Sequence, residues 1–150
     1  MILPRNFARS YFIAFLLFLT LQYGYYRLMP ANHWAEYHAV VYDGVKPNSG
    51  RLQFRSDRTL HRTVNIGGND HLWCDADKDG EFGHFSSWPW RSDQAPPRDR
   101  HLTAPWAYLG ELPWPGVSCY MRSVVSVELP YGITKPLPPV ISLPFIIPET

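Results

Sequence analysis

Residues 117–129 read VSCYMRSVVSVEL, with Val117, Cys119, Met121, Val125, Val127 and Leu129 on one side of the alternation. A period of two sustained over so long a run is the mark of a β-strand with one face turned to a core. Ser123 interrupts the apolar side, and together with the length of the run it predicts a bulge or bend there. Upstream, residues 36–44 (EYHAVVYDG) give a first strand that ends at the Asp43-Gly44 turn signal. Residues 51–55 (RLQFR) alternate as a half-buried strand. Residues 59–66 (TLHRTVNI) do the same, with Leu60, Arg62, Val64 and Ile66 on one side, until GGND at 67–70 breaks the pattern.

Residues 71–74 (HLWC) and 81–88 (EFGHFSSW) flank an aspartate-rich connection and read as two arms of a hairpin. The stretch 89–105 shows neither period and is rich in proline and charge, as expected of a long surface loop. Residues 106–112 (WAYLGEL) make a short strand. After the prolines of 130–139, residues 140–147 (VISLPFII) read as an edge strand because Pro144 cannot donate to a central ladder. Proline and aromatic residues are plentiful, whereas alanine, lysine and glutamate are sparse. That composition disfavours long helices and suits short strands joined by rigid turns.

The exception is the first part of the chain. Between Arg9 and Arg27 lies SYFIAFLLFLTLQYGYY, without a charge. As a helix it covers roughly 25 Å, and snorkelling arginines with Leu28-Met29 extend it toward the ~30 Å of a bilayer core. Tyr23, Tyr25 and Tyr26 gather at its distal end, where amphipathic rings favour the headgroup layer. The residues that follow, RLMPANHWAEY, offer no small-x-small cleavage site, so the segment reads as an uncleaved anchor in preference to a signal peptide. Arg5 and Arg9 before the span against Arg27 after it give a positive-inside bias. The expected organisation is a cytoplasmic tip and transmembrane anchor at 1–29, a tether at 30–35 and one exported β domain at 36–150. The expected location is a bacterial inner membrane with the domain periplasmic or extracellular.

In an oxidising compartment the two cysteines, Cys74 and Cys119, have one possible pairing. Closing a loop of about 45 residues removes unfolded-state entropy worth about 4 kcal/mol. Short strands, turns and one core-facing bridge favour an all-β fold, an immunoglobulin-like β-sandwich or a small barrel, with Trp88, Trp90 or Trp106 available to pack on the bridge. The net charge of +1 and the lack of a tight basic cluster argue against nucleic acid as a partner.

The succession of arginine-flanked anchor, EYHAVVYDG, LWCD, a proline-rich stretch and PGVSCY resembles small, single-pass, membrane-anchored β proteins of bacteriophage and prophage genomes. The likeness is one of layout. It implies a phage or prophage source and carries over no catalytic residue.

Asp75, Asp77 and Asp79 followed by Gly80 match the opening of an EF-hand loop, in which hard oxygens converge on a cation. The twelfth position is Ser86, where a bidentate glutamate is required, and the flanks read as strands. These departures argue against an EF-hand. A looser Ca2+ site, completed by Glu81, competes with a plain acidic turn. Neither G-x-S-x-G nor H-E-x-x-H occurs, and the expectation is a binding or interaction module rather than an enzyme. Trp88, Trp90 and Arg91 are residue types that dominate contact surfaces, here toward an envelope protein or glycan. A virion structural or assembly protein is the second reading. A metal-dependent envelope hydrolase using His71 and His84 beside the aspartates is the third.

Overall fold

A computed structural model describes residues 5–47, 49–76, 80–93, 100–110 and 114–149, with backbone alone for 5, 6, 76 and 80–93. Helix α1 (Arg5–Leu28) is rich in leucine but also in phenylalanine and tyrosine, whose intrinsic helix propensity is only middling, and Arg27 in its last turn complements the dipole. It closes with Met29 N–H donating to the Tyr25 carbonyl, and Pro30 then prevents continuation. The segment Phe7–Leu28 is long and apolar enough to cross a membrane, and none of its most apolar window is buried against protein. A single 3-10 turn (Ala31–His33) leads into the sandwich.

Two antiparallel sheets follow. The first holds β1 (Ala35–Val45) and β2 (Leu52–Leu60), then β5 (Arg100–Leu102) and β6 (Trp106–Ala107) along the far edge of β2. The second runs β4 (Gly80–Asp93), β3 (Val64–Ala76), β7 (Ser118–Leu129), and then β8 (Ile133–Pro136), β9 (Val140–Ile141) and β10 (Phe145–Ile146), all three on β7. Each sheet thus ends in one discontinuous edge. Thr103 and Tyr108 amides still bond β2 around Pro105, and Leu137, Ser142 and Ile147 amides bond β7 between the prolines at 136, 138, 139 and 144. Proline is tolerated at an edge because one side of the strand needs no donor, and the broken edge resists pairing with another chain.

Inward residues alternate along β2 (Leu52, Phe54, Ser56, Arg58, Leu60), β3 (Val64, Ile66, Asp70, Leu72, Cys74) and β7 (Cys119 through Leu129). Strand β1 keeps its inward face only by changing phase. Ladder shifts beside His38 and Asp43 pass the interior from Ala35 and Tyr37 to Val40 and Tyr42, then to Val45. Gly44 takes the positive φ of 97° that the second shift requires.

Several expectations change. Asp43-Gly44 is a bulge within β1, and the turn comes later, where Lys46 N–H bonds the Arg51 carbonyl. Residues 59–66 are not one strand. The chain crosses between sheets at 61–63, and the short crossing preserves parity, so Leu60 and Val64 both point inward from opposite layers. GGND does not break a strand, because β3 runs through it with a ladder shift that leaves Pro89 and Trp90 of β4 without register partners. A residue lacking an N–H suits such a gap. The stretch 89–105 is strand at both ends, in β4 and β5, and residues 94–99 lie outside the described residues. No bulge occurs at Ser123, since β3 and β7 pair without a shift from Asn65↔Glu128 to Cys74↔Cys119. The stretch 30–35, expected as a tether, contains the 3-10 turn and buried Trp34 and Ala35.

Cys74 and Cys119 are joined by a disulfide, directly opposite each other in the β3–β7 ladder with Cα atoms 4.0 Å apart. The bridge therefore staples neighbouring strands of one sheet. In an immunoglobulin domain the bridge would instead pin one sheet to the other.

Candidate functional site

The aspartate hairpin begins where β3 and β4 close on each other. Asp75 is exposed and stands opposite Glu81 in the ladder, with Ala76 opposite Gly80. Asp77 and Asp79 lie outside the described residues, as does the Glu81 side chain. Two acidic residues directly across a ladder repel unless a cation intervenes. Among the described residues, no group of three or more His, Cys, Asp or Glu is gathered for a metal ion. Trp88 pairs with Gly68 and Arg91 with Ile66 on the outer strand of the second sheet, and Trp90 falls in the ladder shift. The side chains of all three lie outside the described residues.

The interior carries a second polar feature. Ser56 and Arg58 on β2, Asp70 on β3 and Ser123 on β7 are buried at one level between two apolar clusters. Asp70 and Ser123 are ladder partners, and the Ser123 hydroxyl donates to Asp70 Oδ1 at 2.5 Å. The Ser56 amide donates to Thr103 Oγ1, and Trp106 Nε1 donates to Ser56 Oγ. This layer explains why Ser123 interrupts an apolar face. It sits where a carboxylate must be satisfied.

On the outer face of β2, Arg100 Nε and Nη2 grip both oxygens of Asp57, at 2.9 Å from Nε and 2.5 Å from Nη2. The guanidinium hydrogen bond holds the Asp57 carboxyl below the usual carboxylate range and raises Arg100 in turn. Burial of Tyr42, which stacks on Phe145 with centroids 4.2 Å apart, pushes its phenol up.

A concave surface lies at the helix–sandwich junction. Tyr26 stacks on Trp34 with ring centroids 5.4 Å apart, and Tyr25 meets Trp34 edge-on while its hydroxyl bonds His33 Nε2 at 2.8 Å. Tyr131 packs near Tyr23 and Tyr26 and donates to Gln22 Oε1 at 2.8 Å. Lys135 Nζ reaches the carbonyls of Arg27 and Met29, closing the helix C-terminus with a cation. Beside this aromatic collar opens a cleft of about 530 Å³, whose walls include Tyr26, Trp34, Arg62, Asn65 and Glu128. A smaller recess of about 320 Å³ shares Arg62 with Asn32, His33 and His61. The exposed Arg62 guanidinium lies 5.4 Å from the centre of the Trp34 ring. Asn65 Nδ2 donates to Glu128 Oε2 at 3.4 Å. Trp34 itself is only 3% exposed, and its buried indole N–H has no acceptor among the described residues.

Sequence reasoning placed the tyrosines at the end of the helix and missed the cleft. Arg62 and Glu128 are far apart in the chain and meet only because β3 and β7 pair. The legible signal was Trp34, an aromatic residue set just beyond the tyrosine cluster. No protein-family model, curated protein or solved structure matches the chain.

Proposed function

We propose that the protein is a single-pass membrane protein whose β-sandwich serves as a binding or interaction module seated on the outer face of a bacterial inner membrane. The observation that carries this reading is the pairing of an unburied apolar helix with a docked end. Phe12, Phe15, Leu17 and Leu21 are exposed along α1, while Tyr25, Tyr26 and Met29 pack into the sandwich. Water would disfavour so many bare apolar side chains, and a bilayer accommodates them. The collar then holds the domain against the headgroup layer, and the arginines at 5 and 9 keep the amino terminus cytoplasmic.

The layout resemblance favours a phage or prophage source, and the module would engage an envelope protein or glycan. A reporter active only after export, fused at the carboxyl terminus, should be active, and the fusion should stay in the membrane after carbonate extraction. Reporter activity in the cytoplasm, or release into the soluble fraction, overturns the reading. Purified particles retaining the protein would favour a virion component instead, and metal-dependent turnover of peptidoglycan would favour a hydrolase.

A Ca2+ site at the aspartate hairpin belongs to the same proposal, supported by the Asp75↔Glu81 register. It would fill in the ~0.1 to 1 mM range of extracellular modules. Calorimetry that detects no heat with calcium would dispose of it.

A further inference from the structure

The cleft at the foot of α1 offers one cation and one anion to whatever fills it, and Tyr26 belongs both to its wall and to the last turn of the helix. We infer that the cleft holds the headgroup of one zwitterionic, amine-bearing phospholipid, its phosphodiester on Arg62 and its ammonium at Glu128. The inference rests on the membrane-anchored reading above.

Depth comes first. The apolar segment Phe7–Leu28 ends at the residues that build the cleft. When the helix spans a bilayer, Tyr25, Tyr26 and Trp34 therefore lie in the headgroup layer, where such rings are favoured. The cleft opens beside them at the same level, and lipid headgroups are its nearest and most concentrated ligands.

Chemistry then selects among headgroups. A guanidinium presents its donors in a planar fork that fits two phosphate oxygens, and resting on the Trp34 ring pre-orients Arg62 for this. Glu128 disfavours a headgroup that is only anionic. An ammonium with free N–H bonds can donate to that carboxylate, whereas a quaternary amine has no donor to offer. The volume of about 530 Å³ is within the usual range for small-molecule sites.

The test uses the full chain in nanodiscs made from equal parts of phosphatidylethanolamine, phosphatidylglycerol and phosphatidylcholine. Native mass spectrometry after release counts the lipids that remain bound. The wild-type chain should keep one phosphatidylethanolamine in preference to the others. Arg62→Gln should lower retention about tenfold or more, as expected for losing one charge-assisted contact to phosphate. Glu128→Gln should erase the preference for the amine lipid while leaving phosphatidylglycerol retention intact. Arg62→Lys keeps the charge but loses the planar fork, and should give an intermediate loss even if another variant folds poorly. Equal retention by wild type and Arg62→Gln, or no preference for the amine lipid in the wild type, overturns the inference. A chain that enters the discs yet keeps no lipid sinks the cleft alone. A chain that never enters them sinks the anchor reading, and the headgroup site with it.

Discussion

At the end of the sandwich remote from the helix, Leu52, Phe54, Leu72, Met121 and Phe145 pack around the Cys74–Cys119 bridge. At the other end Leu60, Val64, Ile66, Val125 and Val127 pack together under Tyr25, Tyr26, Met29 and Trp34. The same four strands, β1, β2, β3 and β7, supply both clusters, and a polar layer of Ser56, Arg58, Asp70 and Ser123 divides them. One end is closed by a covalent bond within the domain. The other borrows its closure from the stem of a helix whose remaining length is apolar and bare. A small sandwich with proline-broken edges thus closes its two ends by different means, a covalent bridge at one and a packed aromatic stem at the other.

The sharpest way to break the comparison is to remove the bridge. Replacing Cys74 and Cys119 by alanine should cost about 2–5 kcal/mol, in line with native bridges of small exported domains. If the polar layer separates the ends, hydrogen exchange should accelerate first at amides around Leu72 and Met121, with those around Ile66 and Val127 following only at global unfolding. Uniform acceleration along β3 and β7 would mean that the two ends form one cooperative unit.

The polar layer is the next target. Asp70→Ala leaves the Ser123 hydroxyl without its carboxylate acceptor in a site excluded from water, at an expected cost of about 1–3 kcal/mol. In a double-mutant cycle with Ser123→Ala the losses should be non-additive, because both substitutions remove the Ser123–Asp70 bond. Additive losses measured by urea unfolding would show that the pair contributes independently of each other.

How much of this was legible beforehand depends on what the period of two can carry. It shows that 117–129 is a core strand, and it cannot show that Ser123 faces a buried aspartate from another strand. It cannot show the crossing at 61–63 either, because a short connection that preserves parity leaves Leu60, Val64 and Ile66 in one unbroken alternation. Prolines at 105, 138 and 139 read correctly as interruptions, whereas Pro144, read as part of one edge strand over 140–147, lies between β9 and β10. Their arrangement along the outer sides of β2 and β7 depends on pairing over long sequence separations, and so does the meeting of Arg62 with Glu128 at the cleft. The cysteines could be paired by count and compartment. Whether their bridge lies within a sheet or between sheets is decided by register, which spacing alone does not encode.

The smallest expected effect belongs to the outer face of β2, near the boundary between the two ends. Asp57 and Arg100 form a bidentate pair there, but the Arg100 side chain is 64% exposed, so solvent screens much of the attraction. The guanidinium hydrogen bond, aided by charge on Arg100, His38 and His101 and opposed by partial burial, lowers the Asp57 pKa. A carboxyl whose pKa is lower when folded binds its proton more readily in the unfolded chain. The pair's contribution is therefore fully present above the unfolded value of about 3.9 and is lost as pH falls through the folded value. Asp57→Asn removes it at every pH. Urea unfolding of the two proteins should show a small gap at pH 7 that persists to pH 5, then closes as acid protonates Asp57, while the other titrating groups are common to both and largely cancel. Salt at about 1 M, where the Debye length falls to about 3 Å, should narrow the neutral-pH gap further. A gap that stays constant below the folded pKa would mean that Asp57 acts through packing and neutral hydrogen bonding. In that case the edge formed by β5 is held by its backbone pairing with Asp57–Thr59, and charge has no part in closing it.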